Sequence, residues 1–304
     1  MTYAKQIHLS LGTLALLITA TVLYAVFRQT GGAKPGPLFS FTQIPDSILL
    51  YQVHDTVKLM RSAAGWTVNG MPADEERITL LLAAMQQSVV RRPAAQNQAD
   101  SLARILEQAG VRVEVYGGTG KPFAFRITGN ESPMKTFVQR HAGEVVEVTI
   151  PGYRVFVAGI FMLPETEWVN RRIFNFNWRN FRSLAAIFPG HPADSFTVAF
   201  NGRFFSVKGM PTDTARLNTY LDEISLLEAD GFLPSRSLPD TLASAECAGI
   251  IKITTVSGQD LSIQLFPAGN RLLGITGYLP AAWFSGNKTT LLTRRRSWFR
   301  QGEH

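Results

Sequence analysis

The chain has 304 residues, of which 45% are hydrophobic and 17% charged, so it holds enough apolar material for a folded core and is not disordered throughout. The formal net charge of +7 favours acidic partners such as lipid headgroups, without naming one. A single cysteine, Cys247, excludes an internal disulfide, and no histidine stands in a zinc-binding spacing. We therefore predict no metal site and no cofactor.

The chain opens with a long uncharged segment. No Asp, Glu, Lys or Arg occurs between Gln6 and Phe27, and the 19 residues from 9 to 27 are mainly apolar. At about 1.5 Å per residue, a helix of this length spans roughly the 30 Å hydrocarbon core of a bilayer. A cleaved signal peptide is the alternative, but its apolar region is usually about 7–15 residues long. We predict one transmembrane helix in an anchor over 1–28, followed by a linker over 29–45.

Two similar phrases, identical at five of nine positions, lie 139 residues apart: WTVNGMPAD at 66–74 and FSVKGMPTD at 205–213. Asp74 and Asp213 stand where a carboxylate would cap the start of a helix. The apolar residues that follow recur at i, i+3, i+4 and i+7, which predicts one buried helix face in each copy. These residues are Ile78, Leu81, Leu82 and Met85 in the first copy, and Leu217, Tyr220, Leu221 and Ile224 in the second.

Alternating apolar residues predict a hairpin before each phrase, and the second hairpin turns at Asn201-Gly202. A shorter helix is predicted after each first helix, over Ser101–Gln108 and Leu238–Glu246, and a second hairpin follows each of them. The sequence therefore predicts an α+β fold, a tandem duplication of a hairpin–helix–hairpin unit with mixed, mainly antiparallel sheets. The predicted units cover 46–160 and 161–292, and a basic tail covers 293–304.

Arginines and aromatic residues interleave between the two units, and two interpretations stay open. One is packing in the core or between the units. The other is a partner surface, since interfaces are rich in Trp, Phe and Arg. That surface would comprise Trp168, Arg171, Arg172, Phe174, Phe176, Trp178 and Phe181. A single-stranded nucleic acid platform has the same composition, but an exported domain does not meet nucleic acid, so we predict no nucleic-acid partner. The arginines after 293 predict a solvated tail, with contact to anionic lipid as the alternative.

Ser132 and Lys135 fit the S-x-x-K motif, in which the lysine activates a nucleophilic serine. Residues 285–287 and 288–290 resemble the partner motifs of penicillin-binding enzymes, but they are contiguous and lack the final glycine of K-T-G. Residues 117–122 resemble a phosphate loop, but Pro122 stands where a hydroxyl residue is needed, which favours a turn between strands. We predict no catalytic residue.

An ordered set of motifs follows the apolar segment. It comprises the WTVNGMPAD step, AGVRVEVY at 109–116, IPGY at 150–153, WVNRRIF at 168–174, and the Ser195-Phe196 step into the second copy. This set resembles the bacterial family called domain of unknown function 4340, over about residues 40–290. The resemblance implies a cell-envelope protein anchored on the outer side of the inner membrane. Some relatives are associated with transport systems of the ABC type, and the family has no agreed catalytic residues.

We therefore expect a non-catalytic, single-pass inner-membrane protein whose soluble domain is periplasmic. Its expected role is that of an accessory or scaffold protein, with the inner membrane and ABC-type transporter subunits as partners. The alternative is an extracytoplasmic module that binds a glycan or peptide in the cleft between the units, and an envelope hydrolase ranks third. An exposed aromatic patch near 174–181 would favour the scaffold, whereas a polar cluster in the cleft would favour the binding module.

Overall fold

The computed structural model describes residues 38–39, 43–117, 122–140, 144–234 and 245–302. These residues form an α+β fold with one nine-stranded and one eight-stranded sheet, and every pairing between neighbouring strands is antiparallel. The predicted anchor over 1–28 lies outside the described residues. Within them, no helix is both long enough and apolar enough to cross a membrane.

The elements follow in chain order. The first sheet consists of β1 Ser47–Tyr51, β2 Thr56–Ser62, β3 Gly65–Val68, β4 Met71–Pro72, β5 Val89–Pro93, β6 Val111–Tyr116, β7 Phe123–Asn130, β8 Lys135–Gln139 and β9 Val145–Thr149. The second consists of β10 Phe181–Ile187, β11 Phe196–Phe200, β12 Phe205–Val207, β13 Gly231–Phe232, β14 Gly249–Thr255, β15 Asp260–Ala268, β16 Arg271–Thr276 and β17 Ala282–Phe284. The helices are α1 Glu75–Gln87, α2 Gln96–Gln108, α3 Ala158–Phe161, α4 Glu165–Trp168, α5 Thr214–Ser225 and α6 Asn287–Leu292, with 3-10 helices at Pro192–Asp194 and Arg296–Phe299.

The two sheets share one strand order. The first runs β4-β3-β2-β1-β6-β7-β8-β9-β5, and the second runs β12-β11-β10-β14-β15-β16-β17-β13. Apart from the two-residue β4, each strand of the first sheet has a counterpart at the same place in the second. The predicted duplication therefore extends to the topology of both sheets. We call the part built on the first sheet the first unit, and the part built on the second sheet the second unit.

The repeated phrase encodes a turn from a strand into a helix. Gly70 and Gly209 have φ angles of +89° and +74°, which side chains with a Cβ rarely adopt. Asp74 then caps α1 by accepting the backbone N–H groups of residues 76 and 77, and Asp213 caps α5 by accepting the N–H of Arg216. The repetition thus follows from a shared folding requirement, as the sequence predicted.

The core of the two units is continuous. The predicted stripes of α1 and α5 face it, except that Leu82 is only partly buried, and the inward strand residues of both sheets belong to the same hydrophobic cluster. Complete burial of one Leu, Ile, Val or Phe side chain stabilises a fold by about 1.5–3 kcal/mol. The two units therefore fold around shared apolar contacts.

The predicted linker ends earlier than expected. Leu38 and Phe39 are buried in the first unit, although the prediction placed them in a linker over 29–45. The Leu38 N–H donates to the Ser88 carbonyl over 2.7 Å, and the ring centroid of Phe39 lies 4.2 Å from that of Phe125. Proline and glycine at 31–37 are typical of a spacer, and they carry no signal that the two apolar residues after them pack into the core.

The predicted basic tail belongs to the second unit. Phe299 is fully buried, and its ring lies 4.7 Å from that of Phe196 and 5.1 Å from that of Tyr220. The guanidinium of Arg294 lies 3.7 Å from the ring centroid of Trp298. The expectation of a solvated tail is therefore wrong as far as Phe299, because an aromatic anchor among the arginines outweighs their charge, whereas residues 300–302 are exposed.

The predicted shorter helices differ from the structure. The helix α2 ends at Gln108 as predicted but begins at Gln96, five residues before the predicted Ser101. Polar residues fill its first turns, so no apolar stripe marks them. The predicted helix over Leu238–Glu246 lies mostly outside the described residues, and its last two residues are not helical.

One buried carboxylate fastens the edge strand β5. Glu147 on β9 accepts from Arg91 over 2.9 Å and from Arg92 over 2.7 Å. Burial alone would raise the pKa of Glu147, but the two guanidinium groups outweigh it and hold this pKa below its usual value. Glu147 is therefore ionised in the folded protein at neutral pH.

Candidate functional site: the junction and an exposed aromatic patch

Residues 168–173 join the two units, and we call them the junction segment. On the first unit, the Asp74 N–H donates to the Trp168 carbonyl over 2.8 Å, and the Asn170 N–H donates to the Pro72 carbonyl over 2.9 Å. The Trp168 indole is fully buried, and its N–H donates to the Leu163 carbonyl over 3.2 Å. The junction segment therefore extends the edge of the first sheet next to β4.

The same segment also pairs with the second unit. The Ile173 N–H donates to the Leu227 carbonyl over 2.9 Å, and the Ala229 N–H donates to the Arg171 carbonyl over 2.8 Å. Ile173 is buried in the shared core. The junction segment thus makes two backbone hydrogen bonds to each unit.

The contact with the first unit recurs at the end of the second. The Asp213 N–H donates to the Phe299 carbonyl over 2.9 Å, and the Gln301 N–H donates to the Pro211 carbonyl over 3.2 Å. Phe299 therefore occupies in the second unit the place that Trp168 occupies in the first. This correspondence explains the burial of Trp168 by folding alone.

Glu167 forms ion pairs with two arginines beside the junction segment. The Glu167 carboxylate lies 2.7 Å from the Arg77 guanidinium of α1 and 3.1 Å from that of Arg171. All three side chains are partly exposed, and such pairs contribute about 0–1 kcal/mol each. They fix the direction of the Arg171 side chain more than they stabilise the fold.

A cleft of about 890 Å³ lies between the units beside the junction. It is lined by residues 70, 72 and 74–76 of the first unit, by 170–173 and 175, and by 228, 259–261 and 278–279 of the second unit. Its walls carry five carboxylates, from Asp74, Glu75, Glu76, Glu228 and Asp260, and two guanidinium groups, from Arg171 and Arg172. The charged groups of the cleft are therefore mainly acidic.

Several of these polar groups already have partners within the fold. Asp74 caps α1, Glu75 accepts the Trp66 N–H over 3.1 Å, and Asp260 pairs with Lys252 over 2.7 Å. The side chains of Glu76, Arg172 and Glu228 have no such partner in the described part of the chain.

Tyr278 lines the cleft beside the junction segment. Its hydroxyl donates to the Ile173 carbonyl of the junction. Partial burial raises the pKa of Tyr278 above its usual value, so this group stays a neutral donor at neutral pH.

A second feature lies at the tip of the hairpin β11–β12. Trp178, Phe200 and Phe204 are 49%, 57% and 48% exposed, and we call them the aromatic patch. The rings of Trp178 and Phe200 lie 5.8 and 5.5 Å from the ring of the half-buried Phe205 beneath them. The Trp178 indole N–H donates to the Asp222 carboxylate over 2.8 Å, which fixes the plane of the indole. Three rings about half exposed leave roughly 300 Å² of apolar surface uncovered in total, and two of them, Trp178 and Phe200, pack on the same ring of Phe205.

Three arginines lie close to the aromatic patch in sequence. Arg179 follows Trp178, Arg203 precedes Phe204, and Arg182 stands at the irregular start of β10. All three are exposed, and their side chains have neither an ion pair nor a hydrogen bond with any residue that the structure describes.

The seven residues of the predicted partner surface do not form one surface. Trp168, Phe174, Phe176 and Phe181 are buried in the core. This part of the prediction is wrong, because these rings pack against the sheets instead of facing solvent. Arg171 and Arg172 line the cleft, and Trp178 belongs to the aromatic patch. A partner role for these three stays a prediction.

The predicted surface omitted Phe200, Phe204 and Arg203. A signal for them was present, since their counterparts at the offset of 139 are Arg61, Gly65 and Ala64. The second copy therefore has an aromatic residue in place of Arg61 and of Gly65, and a basic residue in place of Ala64.

The serine and lysine motifs are kept apart by topology. Ser132 lies in the turn between β7 and β8 of the first unit, whereas Ser285 and Lys288 lie at the start of α6 in the second. Ser285 and Lys288 both contact Asp230, over 2.6 and 2.5 Å. Burial would raise the pKa of Asp230, but these contacts outweigh it and lower it. Lys288, in the first turn of α6, thus forms an ion pair with Asp230.

Among the residues that the structure describes, no group of three or more His, Cys, Asp or Glu side chains is placed so that it could hold a metal ion. Comparison with protein-family models, with curated proteins and with solved structures finds no match to this chain. The resemblance to the domain of unknown function 4340 therefore stays a prediction.

Proposed function

We propose that this chain is a non-catalytic, membrane-tethered scaffold or accessory protein of the cell envelope that serves an ABC-type transport complex in the inner membrane, with its two-unit body in the periplasm. The observation that carries the proposal is the junction segment, because it joins both units by backbone hydrogen bonds and buried side chains. A scaffold holds its partners at fixed positions and needs one rigid body.

Separation of the units would be costly. It would break the two backbone hydrogen bonds from the junction to one of the units, at about 1 kcal/mol net for each. It would also expose Trp168 or Ile173, whose burial contributes about 1.5–3 kcal/mol or more for each side chain. A protein that closes around its ligand needs a hinge with little such cost. The fixed junction therefore favours a scaffold over a closing clamp.

The proposed tether confines this body near the membrane. Residues 28–37 separate the apolar segment from Leu38, and ten extended residues reach at most about 35 Å. A tether of this length gives the body an effective concentration on the order of millimolar near a membrane partner. The short reach suits contacts with membrane-embedded transporter subunits.

An affinity isolation tests the proposal. The full-length chain and a version that begins after Phe27 are each isolated from envelope membranes in mild detergent after brief crosslinking, and transporter subunits are identified by mass spectrometry. The expected result is co-isolation of transporter subunits with the full-length chain. Isolation of both forms without transporter subunits would contradict the scaffold role.

The cleft supports a second candidate function, the binding of a glycan or peptide from outside the cytoplasm. The supporting observation is its volume of about 890 Å³ with Glu76, Arg172 and Glu228 unpaired within the described residues. Calorimetric titration of the full-length chain with glycan and peptide panels tests this function. Binding that Arg172→Ala and Glu228→Ala both abolish would support it, and heats unchanged by these substitutions would contradict it.

A further inference from the structure

We propose that the aromatic patch and its three arginines dock on the anionic lipid surface of the bilayer that holds the chain. This proposal rests on the proposed membrane tether and adds a second contact, which would orient the two-unit body. The tether attaches to the first unit through Leu38, whereas the aromatic patch lies on the second unit. Two contacts at separate places would fix one face of the body towards the membrane.

Because the unit is duplicated, the hairpin of the first unit shows whether the fold itself requires the exposed aromatic residues of the second. Phe200 pairs with Phe205 across the second hairpin, as Arg61 pairs with Trp66 across the first. Arg61 forms an ion pair with Asp46 over 3.0 Å and leaves no exposed ring. The same hairpin therefore folds with a charged residue at this position, and folding does not require an exposed Phe200.

The loop residues show the same difference. Phe204 stands where the first unit has Gly65, and Arg203 stands where it has Ala64. The second hairpin tip thus combines an exposed ring and an unpaired cation at two positions that are small in the first. Exposed apolar groups of this kind mark a contact surface when they cluster.

The chemistry of the cluster matches a lipid headgroup layer. Tryptophan rings reside at the membrane interface, where the apolar ring meets the acyl chains and the indole N–H stays hydrated. Arginine side chains bind phosphate through paired N–H groups, and basic residues next to a membrane are attracted by anionic lipids. Asp222 is the carboxylate that contacts the aromatic patch, and it is already engaged by the Trp178 indole N–H.

Charge complementarity favours an anionic lipid surface as the binding partner of the aromatic patch. Arg179, Arg182 and Arg203 are exposed and lie within four residues of Trp178 or Phe204 along the chain, and each is free of ion pairs in the described part of the chain. A dispersed set of cations around apolar rings suits a broad anionic layer. A protein partner would have to supply matching carboxylates around an apolar centre. The experiment below distinguishes such a partner from lipid.

Quenching of tryptophan fluorescence by brominated lipids tests the proposal. The full-length chain is reconstituted in brominated phosphatidylcholine vesicles, with or without phosphatidylglycerol, and flotation reports the tether independently. Among the five tryptophans, Trp178 is the one whose ring is about half exposed at the aromatic patch, so subtraction of the Trp178→Phe spectrum isolates its emission. We expect strong quenching of Trp178 in vesicles that contain phosphatidylglycerol.

The combined substitution of Arg179, Arg182 and Arg203 by Gln should suppress this quenching. Each basic residue near an anionic membrane changes docking about fivefold, so three should weaken the docking equilibrium on the order of 100-fold. The matched control replaces three exposed arginines elsewhere, Arg104, Arg154 and Arg271, by Gln and removes the same charge. Circular dichroism of both variants must match that of the unsubstituted chain.

The outcomes separate the two proposals. Quenching that needs phosphatidylglycerol, is lost in the first variant and persists in the control would support docking. A chain that floats while Trp178 stays unquenched would overturn docking and assign the aromatic patch to a protein partner. Quenching that is equally strong with and without phosphatidylglycerol would overturn the proposed role of the arginines. A chain that does not float would instead overturn the tether, and the docking proposal would fall with it.

Discussion

Replacement of Trp168 by Ala should destabilise the whole body. The indole is fully buried in the shared core, and a buried tryptophan ring covers about 150–250 Å². At about 25 cal/mol per Å², its removal costs about 4–6 kcal/mol, and measured Trp→Ala substitutions in cores cost about 3–5 kcal/mol. The carbonyl of Leu163 also loses the indole N–H that it accepts. We expect a loss of about 3–5 kcal/mol.

Urea unfolding of the full-length chain in detergent, followed by far-ultraviolet circular dichroism, measures this loss. With a slope of about 3 kcal/mol per M, the midpoint should fall by about 1–2 M. The matched control is Trp178→Ala, which removes the same side chain from a half-exposed position and one hydrogen bond to Asp222. Its cost should be about 1 kcal/mol or less.

The shared core also predicts how many transitions the urea unfolding curve shows. Because the two units pack around one hydrophobic cluster, we expect a single transition in the unsubstituted chain. Equal midpoints for Trp168→Ala and Trp178→Ala would refute the reasoning. Independent unfolding of one unit before the other would refute it as well.

Three further predictions concern single positions. Asp74→Ala should cost more than Asp213→Ala, each about 1 kcal/mol in urea unfolding, because Asp74 accepts two N–H groups and Asp213 accepts one. Gly274→Ala should lower the thermal midpoint, with a cost of about 1–3 kcal/mol, because its Cβ would lie 2.4 Å from a side-chain carbon of β15; Gly277→Ala, which meets open space, should leave the midpoint unchanged. The lowered pKa of Glu147 contributes stability above the unfolded carboxyl pKa of about 4.3, which is lost as the pH falls through the folded pKa. Glu147→Gln should therefore flatten the acid side of the stability profile, and an unchanged profile would contradict this account.

The duplicated fold could be predicted from the sequence because local signals carried it. The glycine turn, the aspartate cap and the apolar stripe recur in one order at one offset, and each predicts the same local structure twice. The strand order of the sheets then repeats as well. Local chemistry that repeats in this way leaves little freedom for a different arrangement.

The junction could not be predicted in the same way. It rests on single backbone pairings between segments distant in sequence, such as Asn170 with Pro72, and such pairings have no periodicity. Its aromatic residues fit both a core and a surface, and the choice depended on the covering sheets. The sequence did not predict the burial of Phe299 among arginines for the same reason.

Comparison of the two copies of the unit could identify the aromatic patch from the sequence. Phe200 fits the alternation of β11, which predicts a strand but does not predict that its ring is exposed. Only its counterpart Arg61 indicates that the position does not need an apolar side chain. Differences between copies of a duplicated unit therefore point to function more directly than the similarities.

The central claim is that the two units act as one rigid body. Spin labels at Leu80→Cys on α1 of the first unit and at Gln259→Cys on the second unit report the distance between the units after Cys247→Ser removes the native thiol. Pulsed electron paramagnetic resonance on the full-length chain in lipid vesicles should give one narrow distance distribution that glycans and peptides do not shift. A broad or two-component distribution would contradict the rigid scaffold and favour a clamp that closes around a ligand.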